Sequence, residues 1–564
     1  MVTLCDIKSR EDLAKRLNVS HNKLTYILYI KKPESYYETF EIPKRHGEMR
    51  TICASNGDLK VLQVRLSKIL WEHQKSLLKE KGIKSNLSHA FEKGKSIITN
   101  AFIHRNKRYV LNLDLKDFFS SFHFGRVLGY FEKNRYFKLP HDVAVIIAQL
   151  TCYNGCLPQG APTSPIITNL ICQTLDIHIL KLAKQYRVDY TRYADDMTFS
   201  TNDKSFVEKW QEMVVKLSSV IKSAGFEINE KKTRLQFRDS RQEVTGLVVN
   251  KKLSVNRNYV RKTRAMAHQL YSSGEYYING KKGTIRQLEG RFSFINQLDF
   301  YNNQNDSKDI KHNSFNLNGR EKQYQAFLFF KYFFYNEKPI VVTEGKTDVL
   351  YIKAALKKFC DKYPRLIQKD ANGRYVYGFS FLRRTRRWKY FFNISLDGAD
   401  TIQNLYYYHS GKNKYHNYLE QFEKLGKRKQ RNPVIFLYDN ELLHEKPLKK
   451  FINQVKDFSE TMKESFKTDL NVCLICDSKL FVVTNPLVDN KEECEIEDLF
   501  LDDLLNMELN GKIFSRNDKL DSKLYFGKDR FSRYVYENYK TIDFSRFKPL
   551  LDAIDSVIER CSHV

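Results

Sequence analysis

The spacing of hydrophobic and polar residues changes along the chain and predicts a succession of different elements. Near the N-terminus, SREDLAKRL combines a serine cap with apolar residues at helical spacing, which predicts a helix. From Ile42 to about Asn250, strand-like and helical stretches alternate. Residues 251–300 are basic and mostly helical in pattern, whereas residues 301–321 are rich in Asn, Asp and Ser and lack apolar periodicity. We therefore expect a linker over 301–337.

A different pattern begins after Glu337. PIVVTEG has the composition of a buried strand that ends in a turn, and KTDVLYIKAALKKF follows with the spacing of an amphipathic helix. A second buried strand, NPVIFLYDNE, and the apolar runs VCLICD and LFVVT come later. Strands that alternate with helices predict an α/β domain with a mainly parallel sheet over 338–564.

Length and charge narrow the class of protein. A chain of 564 residues is expected to form roughly two to four domains. Its formal net charge of +29 indicates a polyanionic partner, most often nucleic acid, with a membrane surface as the second choice. No run approaches the roughly 18 consecutive apolar residues of a membrane span, and the N-terminus lacks the apolar segment of a signal peptide. We expect a cytoplasmic protein without a membrane partner.

Two stretches bring carboxylates to the ends of strand-like runs. YVLNLD ends on Asp114, and YTRYADDMTF places Asp195 and Asp196 side by side between apolar flanks. Phosphoryl transfer commonly uses two divalent ions held by carboxylates from separate strands, and Mg²⁺ prefers such oxygen ligands. Adjacent aspartates are also common in turns, where they make local hydrogen bonds. On these residues alone, a turn and a metal site stay open.

Ordered motifs around these acids resemble those of reverse transcriptases, and of the retron branch in particular. Asp114 matches the first catalytic aspartate of that family, and YADD at 193–196 matches its signature turn. NAFIH at 100–104 and VTG at 244–246 are similar to two motifs of the retron branch. The remaining matches are IPKRHGEMRTI at 42–52, LPQGAPTSP at 157–165 and GFEINEKKT at 225–233. The resemblance covers about 1–300 and implies an α+β right-hand polymerase, with fingers and palm over 1–250 and a thumb over 251–300.

The resemblance also implies roles for individual residues. The palm acids would hold two Mg²⁺ ions, other side chains would bind the dNTP, and a bulky ring would exclude a ribose 2′-hydroxyl. The basic thumb would bind RNA, although an ordinary solvated helix face is the alternative reading. The residues concerned are Asp114, Asp195 and Asp196 for the ions, Arg50 and Lys44 for the triphosphate, Gln159 for the nucleotide, Phe119 for the ring, and Lys232 for protonation of pyrophosphate.

Retron enzymes work with a structured non-coding RNA from their own operon. They start DNA synthesis from the 2′-hydroxyl of an internal guanosine and leave a branched RNA–DNA product. The resemblance implies this RNA and this branched single-stranded DNA as partners, and it leaves open a homo-oligomer formed with them.

A second set of acids lies in the C-terminal part. Glu344 and Gly345 follow one buried strand, with Asp348 a helical turn later, and Asp439 and Glu441 follow another. The carboxyl ends of neighbouring parallel strands converge on one crevice, so Glu344, Asp439 and Glu441 are expected to meet at Mg²⁺.

EGKTD and DNE resemble the motifs of the Toprim fold of topoisomerases, primases and overcoming-lysogenisation-defect nucleases, although that family usually has DxD at the second motif. The resemblance adds Asp348 as a metal ligand. It also implies that Gly398 in SLDGAD is the glycine of the intervening motif of that family, and that Glu497 and Lys528 match a later acid and lysine of the nuclease branch.

The combined expectation is a retron RNA-directed DNA polymerase followed by an α/β Toprim domain that acts as a metal-dependent nuclease effector in anti-phage defence. The alternative keeps the polymerase but makes 338–564 a non-catalytic scaffold that only binds the RNA–DNA product. A group II intron maturase is disfavoured, because neither a maturase domain nor an HNH motif is evident.

Overall fold

The chain folds into two compact units, Met1–Arg257 and Asn258–Val564, here called the N-terminal and C-terminal units. The computed structural model describes residues 6–43, 47, 49–80, 87–306, 314–475, 478–516, 521 and 523–562. The boundary falls at Arg257, so the predicted thumb over 251–300 belongs almost wholly to the C-terminal unit. The predicted division at the linker does not appear.

The N-terminal unit combines an antiparallel sheet with packed helices. Its helices are α1 (Arg10–Arg16), α2 (His21–Thr25), α3 (Gly57–Glu80), α4 (Ile97–Ile103), α5 (Phe124–Lys133), α6 (His141–Thr151), α7 (Ser164–Gln185) and α8 (Phe206–Ser223). Its strands are β1 (Tyr37–Pro43), β2 (Met49–Ser55), β3 (Tyr109–Asp114), β4 (Asp189–Tyr193), β5 (Asp196–Thr201), β6 (Arg234–Phe237), β7 (Glu243–Val244) and β8 (Leu247–Val248).

The helix predicted from SREDLAKRL is present as α1. Ser9 caps it, because its side chain accepts a hydrogen bond from the backbone N–H of Asp12 while the Asp12 carboxylate accepts from the N–H of Ser9. This reciprocal arrangement satisfies two backbone donors that a helix start otherwise leaves unpaired. Leu13 and Ala14 then face the core.

The central sheet of this unit has the strand order β4-β5-β3-β6, with every neighbouring pair antiparallel. Its strands β3 and β5 are almost wholly buried; β3 is rich in apolar residues, whereas β5 buries Thr and Ser beside Met and Phe. A separate antiparallel hairpin, β1–β2, pairs Tyr37 with Ser55 through Pro43 with Met49.

Helix α7 is long and apolar enough to cross a membrane by length and composition alone. It is nevertheless a core helix, since 67% of its most apolar window is buried inside the fold. Its buried residues, among them Ile166, Leu170 and Ile179, pack in the same hydrophobic core as the central sheet. The sequence shows no uninterrupted apolar run here because polar residues interrupt the helix.

The C-terminal unit is an α/β assembly. Its helices are α9 (Arg257–Ser273), α10 (Ile285–Asp306), α11 (Gly319–Phe329), α12 (Asp348–Lys358), α13 (Arg386–Phe392), α14 (Gln403–Ser410), α15 (Tyr418–Gly426), α16 (Pro447–Gln454), α17 (Glu460–Thr468), α18 (Asp502–Leu505), α19 (Lys528–Glu537) and α20 (Lys548–Ser562). Its strands are β9 (Tyr277–Ile278), β10 (Lys281–Lys282), β11 (Ile340–Thr343), β12 (Ile367–Lys369), β13 (Tyr375–Tyr377), β14 (Ser380–Phe381), β15 (Val434–Tyr438), β16 (Asn471–Ile475), β17 (Leu480–Thr484), β18 (Ile513–Phe514) and β19 (Tyr525–Phe526).

The mainly parallel sheet predicted for this region is confirmed. Its order is β14-β11-β15-β17-β16, in which β16 alone of the described strands runs antiparallel to its neighbour. Strands β11, β15 and β17 are completely buried, which is typical of parallel strands with helices on both faces. Their carboxyl ends therefore open at one edge of the sheet.

The prediction of a linker over 301–337 is wrong for most of its length. Helix α10 continues to Asp306, and α11 leads into a π-helical turn, Phe330–Phe334; residues 307–313 lie outside the described residues. Asn318 caps α11, and the aromatic run from Phe327 to Phe334 is buried in the core of the unit. The polar composition of 301–321 concealed a segment that the neighbouring aromatic residues order.

Candidate functional site

The paired aspartates lie in the tight turn between β4 and β5. Ala194 occupies the left-handed region with φ of +56°, and this allows the chain to reverse between Tyr193 and Asp196, which face each other across the hairpin. In the adjoining strand pair, Asp114 of β3 is directly opposite Asp196. The N–H of Leu115 donates to the carbonyl of Asp195 at 3.0 Å. The strand register therefore brings Asp114 opposite Asp196 and close to the backbone of Asp195, and their joint role as metal ligands stays a prediction.

A buried ion pair below the turn fixes the hairpin. The guanidinium of Arg192 is completely buried and donates twice to the carboxylate of Asp176, at 2.8 Å for each bond. It also donates to the carbonyl of Ala194 at 3.2 Å. Tyr190 donates its hydroxyl to the same Asp176 carboxylate at 2.8 Å. Sequence reasoning missed Arg192 and Asp176, although an arginine within the strand-like run before YADD was a usable signal.

The NAFIH motif fastens α4 to the same hairpin. His104 is completely buried, and its two ring nitrogens lie 2.8 Å from the Ser200 hydroxyl and 2.7 Å from the Thr191 hydroxyl. Thr191 in turn donates to the Asn100 side-chain oxygen at 2.7 Å. Burial lowers the pKa of His104 to about 3, so the ring is neutral at physiological pH.

Lys232 is attached to the first aspartate. Its ammonium donates to both Asp114 carboxylate oxygens, at 3.0 and 2.9 Å, and the Asn229 side chain donates to one of them at 3.1 Å. Burial lowers the pKa of Lys232, but the Asp114 carboxylate outweighs this effect and the net shift is upward. The lysine is therefore protonated at neutral pH and half of its side chain or more is open to solvent.

The carboxylates of the turn destabilise one another's charged forms. Burial and the Asp114 charge raise the pKa of Asp195. Asp196 touches solvent in the cleft, yet the protein around it removes hydration, and this effect together with the Asp195 and Asp114 charges raises its pKa to about 7. A divalent cation would relieve this repulsion, and the oxygen donors are of the type that Mg²⁺ prefers. Within the described residues, however, no group of three or more His, Cys, Asp or Glu side chains is arranged as a complete metal cage.

The nucleotide-binding residues expected from the sequence are dispersed around these acids. Arg50 is exposed on β2, and its charge is close enough to lower the pKa of Asp195. Phe119 is half-buried, with its ring 5.4 Å from that of Phe118 in an edge-to-face contact. Gln159 is half-buried, and its carbonyl accepts from the N–H of Cys53 at 2.8 Å. Lys44 lies outside the described residues.

Gly160 explains how the 157–165 loop approaches the β1–β2 hairpin. Its φ is +125°, and a Cβ atom there would lie 2.9 Å from the carbonyl oxygen of Cys53. Only glycine accommodates both the backbone conformation and the close approach. Next to the acids, a cavity of about 480 Å³ is lined by Asp114, Asp196 and Lys232 together with Ile97 of α4 and Thr245 of VTG.

The second set of acids lies at the carboxyl edge of the parallel sheet. Glu344 directly follows β11 and Asp439 directly follows β15, its parallel neighbour, and the N–H of Asp439 donates to the Glu344 carboxylate at 3.2 Å. Burial and the Asp348 charge raise the pKa of Glu344 to about 8, and burial raises that of Asp439 well above its usual range. The predicted convergence of these two residues is present.

The other predicted acids of this site differ in placement. Asp348 lines the cavity, but its carboxylate accepts hydrogen bonds from the Gly345 N–H at 2.7 Å and from the Thr347 hydroxyl at 3.3 Å. Glu441 is buried and forms an ion pair with Lys446 at 3.0 Å. Its charge reaches Glu344, yet it is not among the residues that line the cavity. Whether Glu441 joins Glu344 and Asp439 as a metal ligand stays a prediction.

A cavity of about 600 Å³ brings the remaining candidates together. Glu344, Asp348 and Asp439 line it, and so do Gly398, Glu497 and Lys528. The Lys528 ammonium donates to Glu497 at 3.1 Å and to Glu495 at 3.2 Å. Arg384, which sequence reasoning missed, donates to the backbone carbonyls of Glu344 and Gly398 and so joins the two loops.

Comparison with known proteins defines the class of the N-terminal unit. The family model described as "Reverse transcriptase (RNA-dependent DNA polymerase)" matches residues 42–256. The retron Ec86 reverse transcriptase of Escherichia coli is 34% identical over 291 residues, which cover 51% of this chain and 84% of that protein. The retron Mx65 and Mx162 reverse transcriptases of Myxococcus xanthus are 36% and 33% identical, and the matches cover 46% and 52% of this chain. The chain belongs to the retron reverse transcriptases.

The extent of these matches differs between relatives. The chain spans 63% of the length of the Mx65 enzyme and 65% of the Mx162 enzyme. Among solved structures, a telomerase from Candida albicans in complex with a fragment of telomeric RNA matches with a TM-score of 0.31 and 12% identity, covering 52% of this chain and 60% of that one. A likeness at that level adds nothing to the assignment.

Proposed function

We propose that the N-terminal unit copies a cognate structured RNA into DNA with Asp114, Asp195 and Asp196 as its catalytic acids. The observation that carries this proposal is the strand register, which sets Asp114 opposite Asp196 and beside Asp195 in a chain of the retron family. Mg²⁺, when bound to these carboxylates, would activate the attacking hydroxyl and neutralise charge on the phosphates.

The chain's own residues supply the remaining parts of this chemistry. Lys232 carries a proton within about 3 Å of Asp114 and would transfer it to the departing pyrophosphate. Arg50 contributes positive charge toward the triphosphate, and Gln159 on the glycine-anchored loop contacts the incoming dNTP. The half-buried ring of Phe119 occupies the space of a ribose 2′-hydroxyl and favours dNTPs.

The product of the polymerase follows from the family assignment. We propose that synthesis begins at a 2′-hydroxyl of the cognate non-coding RNA in the bacterial cytoplasm and yields branched multicopy single-stranded DNA. The test is to purify the protein from its host and to treat the copurifying nucleic acid with RNase and with a 2′,5′-debranching enzyme. We expect RNA that is covalently joined to DNA through a 2′,5′ bond, which the debranching enzyme cleaves. Linear DNA alone would contradict the proposal.

We further propose that the C-terminal unit is a Toprim domain that cleaves nucleic acid with one or two Mg²⁺ ions. The proposal rests on Glu344 and Asp439, which end adjacent parallel strands in one acidic cavity. The buried acids there have raised pKa values because of burial and mutual repulsion, and a cation would relieve both effects. Lys528 would offset charge on the scissile phosphate, and Glu441, whose charge reaches Glu344, would be a further metal ligand.

A nuclease assay with Glu344→Gln separates this reading from a binding scaffold. Purified full-length protein is incubated with labelled single-stranded DNA, duplex DNA and RNA in Mg²⁺, and the matched control is Glu464→Gln, an exposed acid of α17 outside the cavity lining. We expect cleavage to fall at least about a hundredfold for Glu344→Gln only. If the unaltered protein cleaves none of the three, or if Glu344→Gln cleaves equally well, the domain is a scaffold.

In the cell, we propose that the branched DNA restrains this nuclease until phage infection and that the protein acts in anti-phage defence. Toxicity should then appear when the DNA product is removed and disappear in Glu344→Gln. Toxicity that is independent of the DNA product would contradict this arrangement.

A further inference from the structure

A second cluster of the C-terminal unit combines lysines with tyrosine rings away from the acids. Lys357 of α12 lies 3.6 Å from the ring centre of Tyr536 and 5.1 Å from that of Tyr539. Lys353, one turn earlier, lies 5.4 Å from the ring centre of Tyr377. We call this cluster the lysine–tyrosine surface; it consists of Lys353, Lys357, Tyr375, Tyr377, Tyr536 and Tyr539.

The rings of this surface are fixed in place and still reach solvent. All of these tyrosines are half-buried and pack against the hydrophobic core that includes residues of α12, α19 and α20. The Tyr375 and Tyr539 hydroxyls lie 3.2 Å apart and link the β12–β13 hairpin to the segment after α19. On β13, Tyr375 and Tyr377 share one face while Val376 between them points the other way. The rings therefore form a rigid platform rather than a set of mobile side chains.

The charge of the surface is positive. Among the described residues, Lys353, Lys357 and Lys369 form no ion pair, and Arg374 is exposed at the tip of the hairpin. The exposed acids nearest in the chain are Asp361, whose charge reaches Tyr375, Asp370 in the same hairpin turn and Glu537 next to Tyr536, so these positive charges outnumber them. Cation–π contacts at exposed sites contribute only about 0.5–1 kcal/mol each, so the ammonium groups can turn toward an arriving anion and leave the ring faces open.

We propose that the lysine–tyrosine surface binds single-stranded nucleic acid, with phosphates at the lysines and bases stacked on the tyrosines. A positive groove with aromatic platforms is the arrangement that accepts single strands without reading their sequence. Base stacking requires unpaired bases, so duplexes are excluded from the rings. A polynucleotide is the expected partner because the chain has a net charge of +29 and belongs to the retron reverse transcriptases.

The position of this surface relates it to the acidic cavity. Helices α12 and α19 begin with Asp348 and Lys528 at the cavity, and they carry Lys357 and Tyr536 toward their other ends. At 1.5 Å per residue, these residues lie about 12–14 Å along the helices from the cavity. A strand held on the surface can therefore reach the cavity within a few nucleotides. Binding itself does not depend on whether the cavity cuts.

The test uses full-length protein and a photo-crosslinkable oligo(dT), with oligo(U) as a second probe to distinguish DNA from RNA. The altered protein carries Lys353→Gln and Lys357→Gln, and the matched control carries Lys424→Gln and Lys467→Gln, which remove two exposed helical lysines of the same unit. Tryptic peptides crosslinked by ultraviolet light are mapped by mass spectrometry. Crosslinks confined to the N-terminal unit would mean that the oligonucleotide binds only at the polymerase. The map therefore distinguishes the polymerase from the lysine–tyrosine surface.

We expect crosslinks on peptides that contain Tyr375, Tyr377, Tyr536 or Tyr539. Lys353→Gln with Lys357→Gln should reduce those crosslinks about tenfold and lower the salt slope of binding by about 1.4, as for two lost phosphate contacts. The control should leave both unchanged. Absence of these crosslinks, equal behaviour of the two double variants, or equal competition by duplex DNA or polyglutamate would overturn the proposal.

Discussion

At the residue scale, the turn that carries Asp195 and Asp196 depends on groups that never touch a nucleotide. The buried Arg192–Asp176 pair holds the backbone of Ala194, and Gly160 allows its loop to approach β2. The sequence pointed to the acids through their motif but not to this support. Arg192 and Asp176 are 16 residues apart on different elements, and only the fold shows that they share one buried contact.

Replacing Arg192 tests this support. Arg192→Met leaves the Asp176 carboxylate buried without its partner and should destabilise the N-terminal unit by about 3–5 kcal/mol. Removing both charges with Arg192→Met and Asp176→Leu should recover part of that loss. Urea unfolding measures the free energy, and Lys184→Met, on the exposed side of α7, is the control. Equal stability of Arg192→Met and the control would contradict the role of the pair.

Gly160→Ala tests the close approach of the nucleotide loop. The added methyl must occupy a left-handed conformation against the Cys53 carbonyl, which costs about 1–3 kcal/mol and displaces Gln159. We expect the KM for dNTP to rise about tenfold or more in primer extension. Gly129→Ala, in helix α5 with nothing within 4 Å of the new methyl, should leave KM unchanged. An unchanged KM in Gly160→Ala would show that the loop does not position the nucleotide.

At the element scale, strand and helix periodicity predicted the parallel sheet and α1 well but failed where composition and packing disagree. The 301–337 stretch has linker composition, yet aromatic residues order most of it. Phe292 of α10 stacks with Tyr324 and Phe327 of α11 at ring distances of 5.7 and 4.9 Å. The ion pair between Glu441 and Lys446, five residues later, likewise has no sequence signature.

The packing of α10 on α11 is measurable. Phe292→Ala should destabilise the C-terminal unit by about 3–5 kcal/mol, since it empties a fully packed position. Hydrogen exchange should accelerate in peptides from 285–334. Phe300→Ala, at an exposed position of the same helix, serves as the control and should change little. If Phe292→Ala leaves exchange in α11 unaltered, the segment is the linker that its composition predicts.

The stability that His104 contributes by joining α4 to the β4–β5 hairpin should depend on pH. His104 has a pKa of 6.5 when unfolded and about 3 when folded, so the unfolded state binds its proton more readily. Stability from this group is complete above pH 6.5 and falls by about 1.4 kcal/mol per pH unit below it, down to about pH 3. Unfolding measured from pH 7 to 5 should show a shallower slope for His104→Gln. Parallel slopes would mean that His104 is protonated in the folded protein.

At the scale of the whole molecule, the chain carries two acidic sites on separate units. Family motifs predicted both in outline, because each set of acids follows strand-like runs whose pairing topology is regular. The boundary between the units was less predictable. Helices α9 and α10, for which a thumb was predicted, pack into the core of the C-terminal unit through contacts such as Tyr271 with Phe330 and Phe422. Such long-range aromatic contacts leave no local periodic signal.

The most direct test of the central claim is incorporation of dTTP on a poly(rA) template with an oligo(dT) primer. Full-length protein with Asp195→Asn and Asp196→Asn is compared with Glu344→Gln, which alters the other acidic site. We predict that the double variant loses incorporation by at least about a thousandfold, whereas Glu344→Gln retains the full rate. Incorporation that survives in the double variant would contradict the assignment of the palm acids as the polymerase site.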